Sequence, residues 1–522
     1  MHTHTIDPGP RRTPPRRRHR PGVIAAAVAA LLCVGLQSRP AHAGRTVDDS
    51  TISQRIQDEL LYDPMVSSSV TDVSTANGIV TLTGTVNSLV AKERATRIAR
   101  TVKGVRSVVN RMEVAPLVSR TDAQLRKDVE EALAADPAAD GYQITVTAIN
   151  GTVTLRGTVD SWQEKQLSRK VAGSVIGVRD VIDQIDIRYA SERPDSELEK
   201  EVRETLRWDT LIDDALVRVS VQDGRVSLGG VVGSAAEKTR AVDDAWVGGV
   251  KAVDDTGLEV ARWARDEDLR SKKYIRKPDA DVEKAIESAL LVDPRVRSSS
   301  VDVEVDTGIV HLRGTVATLK AKRAAANDAR STTGVLAVRN NLRVAPGARA
   351  SDKTVENAVK AALRRDPHVS AYDMTVTVRN GVVTLGGTVS SFLAKEIADQ
   401  VASGVDGVLL VDNDVRVLRE GTPAVYDIYV DDVYPYTLAW YDATPVVRYA
   451  MNDDAIREAI EDEMWWSPFV DADDVHVSVV GGVATLTGKV ESWAERTAAI
   501  ENAYEGGAAS VYDHMTLELP DS

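Results

Sequence analysis

One short signature recurs six times along this 522-residue chain, and it limits the fold more than any other feature. The signature is apolar-x-Leu-x-Gly-x-Val, where x is any residue, as in Val80, Leu82, Gly84 and Val86. Such strict alternation predicts a strand with one buried face. Recurrence of the whole pattern indicates a series of similar small domains rather than one large core. The signatures occupy residues 80–86, 153–159, 226–232, 310–316, 383–389 and 484–490.

Each signature follows a two-residue turn of the kind that joins the strands of a hairpin. Asn77-Gly78 and Asn150-Gly151 are two examples, and both residue types tolerate the positive φ that such turns require. A run rich in β-branched residues, such as 144–149, precedes the turn. The sequence therefore predicts an antiparallel pair of strands in every repeat.

Helices are indicated on both sides of the hairpin. A Ser or Thr stands two residues beyond each signature, where it can cap the start of a helix. A glycine marks the end of that helix, and a third apolar run follows. Another helical segment precedes each hairpin and commonly ends at Asp-Pro, as at Asp63-Pro64. The predicted fold class is α+β, with tandem α-β-β-α-β domains that each have a three-stranded sheet and two helices.

The repeats define a domain organisation. The link at 263–277 is mostly charged, so we expect it to be solvated. Copies one and four, two and five, and three and six are most alike, which indicates that a three-domain block was duplicated. A Tyr-rich insertion at 421–450 is either an extra hairpin that covers neighbouring domains or an exposed aromatic binding patch. Copies one to six span residues 47–116, 119–190, 195–262, 278–346, 350–418 and 451–519.

Residues 1–43 have the order of a secretory signal peptide. Several arginines precede an apolar run at 23–36, and a cleavage motif ends at Ala43. A retained N-terminal anchor is the alternative. The single cysteine, Cys33, lies inside this segment, so the exported protein has no disulfide or Cys-ligated metal. Loss of seven arginines and one aspartate takes the formal net charge from −14 to −20, which disfavours nucleic acid as a partner.

Three sets of residues recur at fixed positions. The signature glycines share the buried face of their strand, so we expect them to let a helix approach closely. A basic residue four positions after each helix cap either meets anionic headgroups or forms surface ion pairs such as Lys395 with Asp399. Apolar residues beside the caps either anchor at a lipid interface or pack in the core. The glycines are Gly84, Gly157, Gly230, Gly314, Gly387 and Gly488; the basic residues are Lys92, Lys165, Lys238, Lys322, Lys395 and Arg496; the apolar residues are Leu89, Trp162, Leu319, Phe392 and Trp493.

Motifs for catalysis or metal binding do not emerge from the sequence. It contains neither a Gly-x-Ser-x-Gly elbow nor a His-Glu-x-x-His zinc motif. The histidines after the leader occupy unrelated positions, without metal-ligand spacing. We therefore predict a protein that is not an enzyme and has no cofactor, no catalytic residues and no metal site. Those histidines are His311, His368, His476 and His514.

The α-β-β-α-β unit with its central glycine, the Gly-Val pair after the second helix, as at Gly104-Val105, and the export signal together resemble the BON family of periplasmic osmotically induced and nodulation proteins. The resemblance covers nearly all of the chain after the leader. It implies a periplasmic location, binding to anionic phospholipid surfaces as a peripheral membrane protein, and support of the envelope under osmotic stress. The alternative is a protein-binding scaffold or chaperone-like stress protein that contacts envelope proteins.

Overall fold

A computed structural model describes the protein over residues 47–63, 65–66, 70–136, 144–265, 273–296, 300–346, 350–370, 372–389, 392–417, 452–508 and 510–519. The predicted leader at 1–43 and the Tyr-rich insertion at 421–450 lie outside these ranges. The structure confirms the α+β class and the repeated α-β-β-α-β order.

The first helix of every copy begins with an aspartate, which also holds the hairpin turn. Asp49 accepts hydrogen bonds from the backbone N–H groups of Asn77 (2.7 Å) and Gly78 (2.9 Å). Asn77 has the predicted positive φ, 52°. The same two bonds recur in the other five copies, so one carboxylate fixes the turn against the helix start. The first helices are Asp49–Tyr62, Asp122–Ala135, Asp195–Trp208, Asp279–Val292, Asp352–Arg365 and Asp453–Trp466.

The second helix of each copy starts after the predicted cap. In copy one the Ser88 hydroxyl accepts the N–H of Ala91 at 3.1 Å, and the capping residues of copies two, three, four and six make the equivalent bond. These helices are Leu89–Arg100, Trp162–Gly173, Ala235–Asp244, Leu319–Arg330, Phe392–Ser403 and Trp493–Glu505.

Each copy has a small mixed sheet in which the signature strand is central. The first strand pairs with it antiparallel and the third strand pairs with it parallel. First strands are Val70–Ala76, Ile144–Ile149, Val217–Gln222, Ser300–Asp306, Thr375–Arg379 and Val475–Val480. Central strands are Ile79–Val86, Thr152–Val159, Arg225–Val232, Ile309–Val316, Val382–Gly386 continued by Thr388–Val389, and Val483–Val490.

The third strand differs among the copies. It is continuous in copies two, three and six, as Asp180–Ile187, Ala252–Val260 and Ser510–Leu517. In copies one, four and five it is broken into two short pieces: Ser107–Asn110 and Glu113–Val114, Ala337–Asn340 and Arg343–Val344, and Leu410–Asn413 and Arg416–Val417.

The core of each copy lies between one face of the sheet and the two helices. In copy one, Ile56 of the first helix and Ile98 of the second helix join Val80 and Leu82 of the central strand, and all four are fully buried. Aliphatic side chains on a single face of every element produce this arrangement. The opposite face of the sheet is left without a helix, so it is available for other contacts.

The signature glycines are required for a reason other than the one the sequence suggested. Gly230 has φ +109°, and a Cβ there would lie 2.0 Å from the carbonyl oxygen of Leu216. Gly314 and Gly488 have the same 2.0 Å conflict with a carbonyl of the neighbouring strand segment. At Gly230, Gly314 and Gly488 the expectation that a helix approaches the glycine is therefore wrong, because the close neighbour is backbone beside the same sheet.

Contacts between copies follow a repeated rule. A glycine follows the second helix, and the residue before that glycine donates its backbone N–H to another copy. The acceptor is the backbone carbonyl of the last residue of that copy's first helix. Lys103 bonds to Trp466, Ile176 to Arg365 and Thr333 to Trp208, at 3.2, 2.7 and 2.8 Å. The two three-copy halves are thus joined by equivalent bonds, which pair copy one with six, two with five and four with three.

Part of the predicted linker is packed rather than solvated. Lys273 and Tyr274 are both buried against copy three. The ammonium group of Lys273 donates to the Leu206 carbonyl at 3.0 Å, and the Tyr274 hydroxyl donates to the Thr210 carbonyl at 2.9 Å. The expectation of a solvated link is wrong at these two residues, because their side chains donate to carbonyl groups at and just beyond the end of the first helix.

Candidate functional site

The six basic residues predicted to meet lipid headgroups all lie in the first turn of a second helix. Each is half-buried rather than fully exposed. The helix cap fixes their position four residues into the chain after it, in the helical turn beside the third strand. Their surroundings differ, and that difference depends on the residue type at one position of the strand.

In copies two, three and six the base is bonded within its own domain. The ammonium group of Lys165 donates to the Ile185 carbonyl at 2.6 Å and lies 3.6 Å from the Asp183 carboxylate. Lys238 makes the corresponding contacts with the Leu258 carbonyl (2.7 Å) and with Asp255 (3.2 Å). Arg496 forms an ion pair with Asp513 at 2.7 Å. These three cations are already neutralised by the third strand.

In copies one, four and five the strand carries asparagine instead of aspartate. The amide of Asn110 donates to the backbone carbonyl of Lys92 at 2.8 Å, and Asn340 and Asn413 do the same to Lys322 and Lys395. An amide satisfies the backbone but does not neutralise an ammonium group. Throughout the described ranges the ammonium groups of these three lysines have neither a hydrogen bond nor an ion pair. Lys92, Lys322 and Lys395 therefore remain available to an external anion.

The ion pair expected between Lys395 and Asp399 is not formed. Asp399 instead accepts a hydrogen bond at 2.5 Å from Arg323, which belongs to copy four. That expectation is wrong because the carboxylate is turned toward a neighbouring copy, whereas Lys395 lies on the side of the helix that faces its own third strand.

The apolar residues beside the caps lie between copies. Leu89 of copy one is buried in the core of copy two, and Leu319 of copy four is likewise buried. Trp162 stacks on Trp246 of copy three with ring centroids 5.5 Å apart and planes 6° apart. Trp493 packs against the core of copy four. This placement favours packing between domains, and a lipid contact by Trp162 or Trp493 stays a prediction; the side chain of Phe392 lies outside the described residues.

Further along the second helices, partly buried charged groups have shifted pKa values. Burial and the neighbouring positive charge of Arg97 hold the pKa of Lys170 well below its usual value. Burial raises the pKa of Asp243 to about 6, against the opposing effect of Arg240 and Arg100. These shifts mark a polar environment between copies, distinct from the first-turn bases.

A shallow cleft, open to solvent, lies between copies one and six. Its lining includes Arg55, Glu59, Glu463, Glu501 and Glu505. The single cation, Arg55, is paired with Glu59 and Glu463. The cleft is therefore acidic overall and unsuited to an anionic headgroup.

Two further features bear on the site. Among the helices that the structure describes, none is both long and apolar enough to cross a membrane. Within the same part of the chain, no three His, Cys, Asp or Glu side chains come together as metal ligands would.

Sequence reasoning missed the residue that separates the two groups of lysines. Aspartate stands on the third strand at Asp183, Asp255 and Asp513, and asparagine stands at Asn110, Asn340 and Asn413. This difference between aspartate and asparagine was visible in the sequence, because the position lies at a nearly constant distance along the chain from each basic residue. Its meaning depends on the parallel pairing of the third strand, which brings that position under the helix.

A protein-family model matches all six copies, and several known proteins match parts of the chain. The BON domain model matches residues 48–116, 121–189, 194–262, 278–346, 351–419 and 452–518. The osmotically-inducible protein Y of Escherichia coli is 29% identical over 144 residues, which are 26% of this chain and 72% of that protein. The outer membrane lipoprotein DolP of Haemophilus influenzae is 29% identical over 167 residues, 31% of this chain and 81% of its own. A solved structure of CdsD, a structural protein of the type III secretion system of Chlamydia trachomatis, is 18% identical, covers 46% of this chain and 92% of its own, and has a TM-score of 0.12.

Proposed function

Because the chain belongs to the BON family and carries six copies of its domain, we propose that it is a non-catalytic protein of the cell envelope that binds anionic phospholipid surfaces. Its relatives are named as an osmotically inducible protein and an outer membrane lipoprotein. These names and the predicted leader support a periplasmic protein that maintains the envelope under osmotic stress.

The observation that carries the lipid proposal is the unpaired state of Lys92, Lys322 and Lys395. A basic residue close to an anionic surface contributes about 1 kcal/mol. Three such contacts on one molecule add to each other when they meet the same surface. Lys165, Lys238 and Arg496 would first have to leave their carboxylate partners, so they contribute less.

Local charge matters here because the whole molecule is acidic. A net charge of about −20 after removal of the predicted leader repels an anionic bilayer at long range. Binding then depends on short-range contacts of the lysines, and salt screens those contacts when they are exposed. We therefore expect binding that is selective for anionic lipid and that weakens as salt is raised.

Charge reversal at the three lysines tests the proposal. The variant K92E/K322E/K395E should lose about 100-fold in affinity for vesicles of phosphatidylglycerol and phosphatidylcholine, since three contacts of about 1 kcal/mol are removed. A matched control, R126E/K127E/K353E, makes the same change in net charge at exposed residues of first helices. Equal losses in the two variants, or no loss in the first, would contradict the proposal.

A second function, binding of protein segments, is favoured by the outward face of the sheet in copy six. Val480 and Tyr512 lie on that face and are 77% and 61% exposed. They lie on the two edge strands, on either side of the central strand, and exposed apolar side chains on one face often mark a protein contact. A scaffold should lose its partner on V480S/Y512S, or on changes in 421–450, while vesicle binding stays unchanged.

A further inference from the structure

Two ion pairs between copies occupy the same pair of positions with their charges exchanged. In the first half, Glu93 of copy one pairs with Arg169 of copy two at 3.0 Å. In the second half, Arg323 of copy four pairs with Asp399 of copy five at 2.5 Å. Glu93 and Arg323 both stand five residues after the helix cap. Arg169 and Asp399 both stand eight residues after the equivalent position of their own copies.

The apolar part of these interfaces does not distinguish one half from the other. Leu89 and Leu319 hold the same position beside the cap, and both are buried. In sequence, copy one most resembles copy four, and copy two most resembles copy five. Copy one already packs against copy five elsewhere: the two copies share one hydrophobic cluster, and the Ser88 hydroxyl lies 3.4 Å from the His368 ring. At the interface that carries Glu93, however, shape and apolar contact alone would let copy one receive copy five in the place of copy two.

The charges separate the correct pairings from the exchanged ones. Copy one against copy five would place Glu93 beside Asp399. Copy four against copy two would place Arg323 beside Arg169. Both exchanged pairings bring like charges together, whereas both native pairings bring opposite charges together. Each exchanged pairing would contain either Arg323 or Asp399. These two side chains are only 19% and 11% exposed, so solvent would screen the repulsion weakly.

We propose that these two ion pairs specify which copies join through this one interface, so that copy one takes copy two and copy four takes copy five, and neither takes the corresponding copy of the other half or of a second molecule. The short connection between neighbouring copies raises their effective concentration, but it does not exclude a partner from another chain. Misassembly between similar domains is the characteristic failure of repeat proteins, so a charge code of this kind has a clear use.

An exchange of charges within the first half tests the proposal on the full chain. The variant E93R/R169E keeps an opposite-charge pair in each half. Copies one and four then both carry the positive charge, and copies two and five both carry the negative charge, so the exchanged pairings are no longer repulsive. After unfolding in urea and refolding over a range of protein concentrations, we expect severalfold more dimer and higher oligomer than for the wild type. Size-exclusion chromatography with light scattering measures the fraction that refolds to the wild-type species.

The matched control is the fourfold variant E93R/R169E/R323D/D399R, in which both halves are exchanged and the distinction is restored. It should refold as completely as the wild type. In a neutral variant, E93Q/R169Q/R323Q/D399N, no charge distinguishes the native pairings from the exchanged ones, and no new charge is introduced. It should therefore form oligomers even if the twofold variant fails to fold. The proposal is overturned if the neutral and twofold variants refold like the wild type, or if the fourfold variant forms as much oligomer as the twofold variant.

Discussion

Asp63 and Arg94 form an ion pair in copy one that is almost completely shielded from solvent. Asp366 holds the place of Asp63 in copy five, but Ile397 stands where copy one has the arginine. Asp366 has no ion pair with any residue that the structure describes; its carboxylate accepts the backbone N–H groups of His368 and Val369. Burial raises the pKa of Asp366 to about 6, against the effect of those two bonds.

Removal of the charge at these two equivalent positions should have opposite effects. Asp366→Asn should stabilise the protein at pH 7 by about 2 kcal/mol, because it removes a partly buried charge without an ionic partner and keeps an acceptor for the backbone. Asp63→Asn should destabilise it by about 3 kcal/mol, because Arg94 is left buried without its counter-ion. Urea unfolding of the two variants measures both changes.

The gain from Asp366→Asn should depend on pH. The folded protein binds the proton of Asp366 more tightly than the unfolded chain, so this group's contribution to stability grows as pH falls from about 6 toward 4 and is lost as pH rises. Burial and the charge of Arg94 lower the pKa of His368 to about 4, so that group also titrates in this range, but it is present in both proteins. The difference between variant and wild type should therefore shrink from pH 7 to pH 4, and an unchanged difference would speak against the assignment.

A methyl group at a signature glycine should be poorly tolerated. Gly230→Ala should cost about 3 kcal/mol of the free energy of unfolding, because the new Cβ would meet the Leu216 carbonyl in a backbone conformation that L residues rarely adopt. Gly248→Ala is the matched control in the same copy, since nothing lies within 4 Å of its added Cβ. Thermal unfolding followed by circular dichroism should show a clear loss for the first variant and little change for the second.

The aspartate at the start of each first helix should matter more than other acids nearby. Asp195→Ala should cost about 2 kcal/mol, since two N–H groups of the turn at Asp223 and Gly224 lose a charged acceptor. Glu197→Ala, in the same helical turn but exposed, should change stability by less than about 0.5 kcal/mol. Chemical denaturation of both variants tests this, and similar losses would contradict the role given to Asp195.

The tryptophan pair between copies two and three separates packing from lipid anchoring. Trp162→Ala should lower stability by about 1 to 2 kcal/mol through loss of the stack on Trp246, while vesicle binding remains as in the wild type. Trp263→Ala provides a control, because that side chain is exposed. Weaker vesicle binding with unchanged stability would instead identify Trp162 as a lipid anchor.

The fold was largely predictable because its signals are local. The turn at Asn77-Gly78, the cap at Ser88 and the alternation around Leu82 each act over a few residues, and the structure confirms them. The aspartate that holds each turn stands 28 and 29 residues before it in all six copies, so that regularity was visible, although its meaning required knowledge of how the helix meets the hairpin.

The environment of the candidate site was less predictable. A basic residue four positions after a cap looks the same in all copies, yet Lys165 is neutralised by Asp183 and Lys92 is not neutralised at all. The stack of Trp162 on Trp246 joins residues of different copies. The contacts of the bases required knowledge of the parallel pairing inside one copy. The tryptophan stack depends on how two copies pack together, and the pattern within one repeat carries no information about that partner.

Co-sedimentation of the wild-type protein with vesicles tests the central claim most directly. Vesicles that contain anionic phosphatidylglycerol and vesicles of zwitterionic phosphatidylcholine are compared at low and moderate salt. We expect the protein to pellet with the anionic vesicles alone, and less so at moderate salt, because the contacts of Lys92, Lys322 and Lys395 are electrostatic. Equal pelleting with both vesicle types, or no pelleting with either, would contradict the lipid-binding function.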